Sequence, residues 1–339
     1  MTADRTLADP NWAVTLFSFT TELVAGADPN GIVETIATEG GIRRIEIDGF
    51  QHFPGLPRVG DAEAAEFREL ADRLDLELTE LGIYADLALH PDRLLTMDET
   101  VQYLADQVAS AAKLGFPAVK VMFGIDTAMQ EGLLPHLERH GIPLYQEVQG
   151  PVRIDSPELD RQREFAAQHG GGLLGFVFDS SACMPAVPAT YVEELRANSV
   201  PESAIRLLEE DWAGDRSGQV RGEFTRLTAE AGLPPSLHPL LAMPFMRFGS
   251  STVAEFRDFL PEVSIVHLKF WDLEDADGRV SRPIADLRRE LGAIGFDGAI
   301  TSEWGGHEYL DPGAYRPLDM TLQHRELYDR ALPPHGAGA

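Results

Sequence analysis

The sequence predicts a single (β/α)8 TIM barrel over residues 1–332, carrying a long insertion between its sixth and seventh strands. Three observations lead there. A helix-like segment, a Gly, an apolar residue and a strand-like segment follow one another at Gly41-Ile42, Gly82-Ile83, Gly115-Phe116, Gly141-Ile142 and Gly295-Phe296. A Gly just past a helix adopts the left-handed conformation that closes it and turns the chain back, so the pattern predicts at least five helix-to-strand returns and a parallel sheet. Eight apolar runs read as strands, and four of them end in a carboxylate or an imidazole. No Gly-x-Gly-x-x-Gly follows the first strand and no phosphate loop occurs, which favours the barrel over a doubly wound sheet.

In chain order, the expected strands are Trp12–Thr20, Arg43–Gly49, Ile83–His90, Ala118–Gly124, Ile142–Val148, Leu173–Asp179, Val263–Trp271 and Gly298–Trp304. The clearest helix is Asp61–Leu81, where Phe67, Leu70, Leu74, Leu78 and Leu81 recur at steps of three and four. A second covers Asp98–Leu114, with Thr96 and Glu99 spaced as a capping box and Val101, Leu104 and Val108 on one stripe. A third, Pro283–Ile294, places Ile284, Leu287, Leu291 and Ile294 on one face. All three read as outer-ring helices. The interval 180–261 is far longer than one βα unit requires. It holds helical patterns at Tyr191–Asp211 and Val220–Ala231, then an apolar, Pro-rich stretch from Leu233 to Gly249 without period, read as a long loop over the barrel mouth. Residues 333–339 are expected to be a disordered tail.

Composition narrows the function classes. Lys and Arg number 28 against 55 Asp and Glu, a formal charge of -27, and such a surface repels phosphate backbones and anionic membranes. A nucleic-acid or membrane partner is therefore not expected. One cysteine, Cys183, excludes an internal disulfide framework. The start Met1-Thr-Ala-Asp-Arg5 lacks the basic residues and apolar core of a signal peptide, and no apolar run is long enough to span a bilayer, so a cytoplasmic protein is expected.

The chemistry lies at strand ends. Glu147, Asp179, His267 and Glu303 close the fifth, sixth, seventh and eighth strands, and in such barrels functional groups sit at the C-terminal ends of strands. A carboxylate buried there costs several kcal/mol unless something neutralises it. Three converging with one imidazole point to one divalent cation. Mainly oxygen ligands with one nitrogen suit Mn2+, Mg2+ or Co2+, with Zn2+ possible. The competing reading is that each acid is held by a neighbouring Arg or Lys.

The order Glu, Asp, His in Val-His-Leu-Lys, then Glu, resembles the xylose isomerase-like barrels of sugar and sugar-phosphate isomerases and epimerases, over about residues 10–330. The resemblance implies that Glu147, Asp179, His267 and Glu303 ligate a divalent metal, with the two glutamates able to act as acid and base. Within that superfamily, Leu16-Phe-Ser-Phe-Thr20, Ile45-Glu-Ile-Asp-Gly-Phe-Gln51 and Ser302-Glu-Trp-Gly-Gly-His-Glu308 look like the large (alpha) subunit of bacterial C-glycoside deglycosidases. That resemblance implies a lyase that cleaves the carbon-carbon bond between a 3-keto-glucosyl group and an aromatic aglycone, using Mn2+ and a small β-sandwich partner subunit. The alternative is a keto-sugar isomerase or epimerase. The endonuclease IV branch, rich in His and in basic DNA-facing residues, is disfavoured by the charge.

Both readings begin with removal of a proton from carbon beside a carbonyl, which a metal makes acidic enough. Glu147 or Glu303 is the candidate base for an epimerase. His307, four residues past Glu303 in a Gly-Gly loop, and His238, in the apolar interval, are the candidates for a deglycosidase. Tyr145 and Gln149 share the face of Glu147, and Lys269 that of His267, by strand alternation, so all three are candidate substrate contacts. Trp271, Trp304, Phe17, Phe19 and Phe245 offer rings for a sugar or flat aglycone, with core packing the alternative for each. Lys120 is left unassigned. Cys183 has no adjacent base in sequence, which argues against a nucleophile.

Overall fold

The computed structural model describes residues 11–213 and 218–331, so the expected tail 333–339 lies outside the described residues. Eight parallel strands close into a barrel in sequence order. They are β1 (Trp12–Thr15), β2 (Arg44–Asp48), β3 (Glu77–Gly82), β4 (Val119–Met122), β5 (Leu144–Val148), β6 (Leu174–Asp179), β7 (Val263–Phe270) and β8 (Ala299–Trp304).

Helices alternate with the strands because their apolar stripes need the barrel's outer face. Helix Met97–Leu114 starts at the expected capping box, Thr96 accepting from the Glu99 N–H and Glu99 accepting in return. It buries Leu104, Val108, Ala111 and Leu114, and each Leu or Val so buried is worth about 1.5–3 kcal/mol. It stops at Gly115, whose φ of 94° a side-chain-bearing residue rarely adopts. Helix Ser281–Ile294 buries Ile284, Leu287 and Leu291, while Ile294 is left exposed beside Gly295.

The third strand is where expectation and structure part. The helix from Asp61 ends at Leu74, and Asp75, not Gly82, takes the left-handed cap, with φ 53°. Leu78 and Leu81 therefore belong to β3, and the segment read as strand, Ile83–His90, follows it as loop. The first strand also ends early. Thr15 caps a 3-10 turn, Leu16–Phe19, by accepting from the Phe17 N–H, which breaks the strand that was expected to run to Thr20.

Between β6 and β7 the expected helix Tyr191–Asp211 is two, Ala189–Ala197 and Glu202–Glu210, separated at Pro201. A third is Gln219–Glu230, and the stretch expected to be aperiodic loop holds short helices at His238–Ala242 and Pro244–Arg247. This excursion returns to the barrel through close backbone contact. The Gly249 N–H donates to the Ser181 carbonyl at 2.7 Å and the Met184 N–H to the Gly249 carbonyl at 2.9 Å. A Cβ on Gly249 would lie 2.2 Å from the Gly150 carbonyl oxygen, so only Gly lets the excursion sit this close to the strand ends.

Candidate metal centre

Strand register assembles the four expected ligands. Asp179 pairs with His267 across β6 and β7, and Lys269 pairs with Glu303 across β7 and β8. Residues of alternate parity face the barrel interior. One ligand atom each from Glu147, Asp179, His267 and Glu303 lies within 4.8 Å of all the others, and all four residues are buried. His267 Nδ1 lies 2.7 Å from Glu303 Oε2 and 3.0 Å from Glu147 Oε1.

The opposite edge of the same imidazole meets two further acids, Glu46 on β2 and Glu80 on β3. Nε2 lies 3.2 Å from Glu80 Oε1 and 3.1 Å from Glu46 Oε2. One N–H cannot serve both with good geometry, and Glu46 Oε2 is left without a hydrogen bond. Carboxylates behind a ligating imidazole fix its tautomer and orientation. Lys120 faces inward, 2.8 Å from Glu46 and 2.9 Å from Glu147, and Lys269 lies 2.6 Å from Glu303. The reading that lysines hold the acids is thus correct for two of the expected ligands.

Charge balance decides whether the lysines suffice. Five buried carboxylates (Glu46, Glu80, Glu147, Asp179, Glu303) face two lysines and one imidazole. Burial raises the Glu147 carboxyl, but Lys120 and His267 outweigh it and hold its pKa at about 2. Glu303 is likewise held well down, burial being overcome by Lys269 and His267. The imidazole is raised despite burial, chiefly by Glu46 and, more weakly, Glu147. Asp179 has no such partner. Burial first, and Glu303 next, push its pKa up to about 7, and its Oδ2 makes no hydrogen bond. A divalent cation at this point would satisfy that oxygen and offset the excess negative charge, so the donor set fits a resident metal.

The remaining expected site residues divide. Lys269, Gln149 and Phe17 line the pocket above the carboxylates, together with Lys120 and Arg247. Gln149 Nε2 donates to Met122 Sδ at 3.1 Å, and Lys269 Nζ sits 4.6 Å over the Phe17 ring. Arg247, delivered by the excursion, is fixed by Glu308 at 2.8 Å. His307 packs edge-on against Phe17, ring centroids 4.8 Å apart, and does not itself line the pocket. Burial lowers its pKa to about 4, and its Nδ1 has no partner.

Tyr145 faces inward but one layer deeper, packed with Ala13, Val177, Ile265 and Ala299. Trp304 follows inward-facing Glu303 and so points outward, where it packs with Phe270 and Met320 and donates to the Trp271 carbonyl at 3.0 Å. Trp271 is buried against Phe248 and donates to Glu308 at 2.8 Å. Both tryptophans are core, as is Phe19. His238 and Phe245 line a separate cavity against helix Gln219–Glu230 that contains none of the strand-end acids. Cys183 is buried and its thiol is pushed far up by burial, which suits no nucleophile.

No protein-family model matches the chain. It is similar to the C-glycoside deglycosidase alpha subunit of Microbacterium trichothecenolyticum, 32% identical over 311 residues that cover 88% of this chain and 84% of that one. An alpha subunit of the same name from Arthrobacter globiformis is 30% identical over 321 residues, 90% of this chain and 88% of the relative. The 3'-dehydrocarminate deglycosidase alpha subunit of a Microbacterium species is 28% identical, covering 94% of each chain. Among solved structures, a sugar phosphate isomerase/epimerase from Parabacteroides distasonis superposes with TM-score 0.54 at 12% identity, over 97% of this chain and 96% of that one. D-psicose 3-epimerase gives 0.51 at 14% identity, over 95% and 98%. The two structures share the fold, an eight-stranded parallel barrel.

Proposed function

The chain belongs to the C-glycoside deglycosidase alpha-subunit family, and from that premise we propose that it is the catalytic subunit of a divalent-metal-dependent lyase acting on a 3-keto-C-glucoside. The observation that carries the proposal is the convergence of Glu147, Asp179, His267 and Glu303 within 4.8 Å. A bound divalent cation, with Mn2+ as first choice, would polarise the sugar's C3 carbonyl and so acidify the proton on C2.

The protein's own residues supply the rest. Lys120 and Lys269 keep Glu147 and Glu303 ionised, which makes them good ligands and weak bases. We assign the base to His307, neutral at pH 7, whose unpartnered Nδ1 lies behind the pocket-lining Phe17 and would reach the sugar once that ring turns aside. The base takes the C2 proton, the electron pair left on C2 forms a C1=C2 double bond, and the bond from C1 to the aryl carbon breaks. That aryl carbon takes up a proton. An aglycone and an unsaturated keto sugar leave, and no water is consumed.

The relatives are named alpha subunits, which supports a second, small subunit as partner. The test is the purified chain with Mn2+, with and without a co-expressed small partner, on a 3-keto-C-glucoside and on free ketoses. Aglycone release that falls at least ~10^3-fold in Glu147→Gln, with loss of bound metal, is expected. Removing a general base typically costs about 10^2–10^4-fold, the range expected for His307→Ala. Conversion of a free ketose without aglycone release would make the protein an isomerase or epimerase instead.

A further inference from the structure

We propose that Arg247 reads the sugar's C6 hydroxyl, so that the excursion between β6 and β7 completes the site and selects an uncharged sugar with that hydroxyl in place; this rests on the deglycosidase reading above. Three cations line the carboxylate pocket, Lys120, Lys269 and Arg247. Both lysines are committed to strand-end acids, Lys120 to Glu46 and Glu147 at 2.8 and 2.9 Å and Lys269 to Glu303 at 2.6 Å. Arg247 pairs instead with Glu308, beyond the end of β8, and does so through Nε at 2.8 Å. Neither Nη1 nor Nη2 donates a hydrogen bond to any described residue. The outer edge of a planar fork of donors is thus left for a ligand.

Packing on both sides holds that fork in place. Arg247 ends the short helix Pro244–Arg247, its N–H donating to the Met243 carbonyl at 2.8 Å. The next residue, Phe248, is buried edge-on against Trp271, ring centroids 4.6 Å apart. A Cβ on Gly150 would lie 3.2 Å from the Arg247 carbonyl oxygen, so the excursion's backbone rests on the residue three past Glu147. Glu308 is fixed in its turn. Its Oε1 meets Arg247, and its Oε2 accepts from Trp271 Nε1 at 2.8 Å. A Cβ on Gly305 would lie 2.6 Å from that same Nε1, so a glycine there keeps the indole within reach of Glu308. A guanidinium ordered in advance loses little freedom when a ligand arrives.

The chemistry of the sugar assigns the oxygen. The reaction engages C1, C2 and C3, and the oxygens on C2 and C4 flank the carbonyl that the cation would polarise. The hydroxyl farthest from that carbonyl is the one on C6, and it is left to a donor on the outer side of the pocket. A guanidinium only donates and a hydroxyl oxygen accepts, so the two match. Charge then sets the selectivity. Glu308 offsets Arg247 as the strand-end acids offset the lysines, so no unpaired cation among the described residues lines the pocket. An anionic group on C6 gains little there and faces the buried carboxylates, whereas a neutral hydroxyl gains a donor at no such cost.

The test measures, by calorimetry, binding of methyl 3-keto-β-D-glucopyranoside, its 6-deoxy counterpart and its C6 carboxylate to the full chain with Mn2+, with and without the co-expressed partner. None of the three carries an aryl C-glycosidic bond, so affinity is read apart from aglycone release. The wild type should bind the parent sugar ~10-fold or more tightly than the 6-deoxy sugar. In Arg247→Leu the two should agree within ~2-fold, because a contact already removed from the protein cannot be lost again from the ligand. Glu308→Gln keeps an acceptor for Trp271 and removes the charge that offsets Arg247. It should bind the C6 carboxylate several-fold more tightly than the wild type does, a gain that misfolding cannot imitate. Equal wild-type affinities, binding of neither sugar, a preference that survives in Arg247→Leu, or no gain in Glu308→Gln overturns the assignment. The deglycosidase reading fails separately: a chain that discriminates as described but releases no aglycone from a 3-keto-C-glucoside keeps the Arg247 contact and loses the reaction. Aglycone release with unaltered kcat/KM in Arg247→Leu keeps the reaction and loses the contact.

Discussion

The mouth and the floor of this barrel are made by the same strand alternation and differ almost completely in content. The floor layer holds Ala13, Val177, Ile265 and Ala299 with the Tyr145 ring. The mouth layer holds Glu46, Glu80, Lys120, Glu147, Asp179, His267, Lys269 and Glu303, all inward and, Asp179 apart, joined in ion pairs. Facing the interior is therefore no guide to role, and depth along the strand is. The floor supports the fold by exclusion of water. The mouth stores uncompensated charge, which makes it a poor place for stability and a good one for a cation.

The contrast breaks most sharply at Lys120. Lys120→Met leaves Glu46 and Glu147 buried without their ammonium, and removing one partner of a buried pair costs about 3–5 kcal/mol. In metal-stripped protein the urea midpoint should fall by that equivalent, and added Mn2+ should restore much of it. Val177→Ala on the floor should cost about 1–3 kcal/mol, equally with and without metal. If both variants responded alike to Mn2+, the division into two layers would be wrong.

Asp179 gives the next largest effect. Its pKa is raised from the usual carboxylate range to about 7 in the folded protein. Between about pH 4 and 7 the folded state therefore binds a proton that the unfolded chain does not, and stability falls as pH rises through that window. The loss is at most about 4 kcal/mol, part of it shared with neighbouring carboxylates. Glu147, depressed to about 2, contributes oppositely and only below its unfolded pKa, so it leaves this window alone. Urea unfolding of metal-free protein at pH 5 and pH 7.5 should show the decline, and Asp179→Asn should flatten it. Mn2+ should reverse the trend, stabilising more at pH 7.5, because the cation replaces the proton. A flat wild-type profile without metal would mean that Asp179 has a partner.

The four candidate strand-end ligands were legible because each closes a recognisable apolar run. Glu80 was not, because Leu78 and Leu81 extend the helical stripe of Phe67, Leu70 and Leu74 at three- and four-residue steps, and Gly82 looks like a helix cap. Asp75 in the left-handed conformation, with φ 53°, ends the helix instead. Asn and Asp tolerate that conformation better than other side-chain-bearing residues, so Asp75 is the one local cue for the helix end. Glu46 alternates with Ile45 and Ile47 in plain view, and that alternation marks an inward carboxylate once the second strand is accepted. Trp304 could have been excluded by the same rule, since Glu303 beside it faces inward. His238 was drawn to the site by its apolar surroundings alone, and no local pattern tells which end of a long insertion returns to the barrel. Arg247 reaches the mouth through the contact of Gly249 with Gly150 and Ala182, a tertiary event invisible to periodicity.

The smallest effect is the most direct measure of depth. Tyr145, Glu147 and Gln149 share one face at successive two-residue steps of about 6.6 Å, so Tyr145 lies below the carboxylates and Gln149 above them. Tyr145→Phe removes a half-buried hydroxyl that interacts with Ser264 and should cost about 1 kcal/mol of stability or less, with kcat/KM changed by less than ~2-fold. Gln149→Leu, at the pocket lining, should lower kcat/KM by roughly 10-fold, the worth of one lost polar contact to substrate, with little change in stability. Substrate enters from the loops that follow the strands, so its contacts must grow stronger from Tyr145 towards Gln149. A Tyr145→Phe variant as inactive as Gln149→Leu would place the reacting sugar below Glu147, inside the apolar layer, where neither its hydroxyls nor a cation could be satisfied.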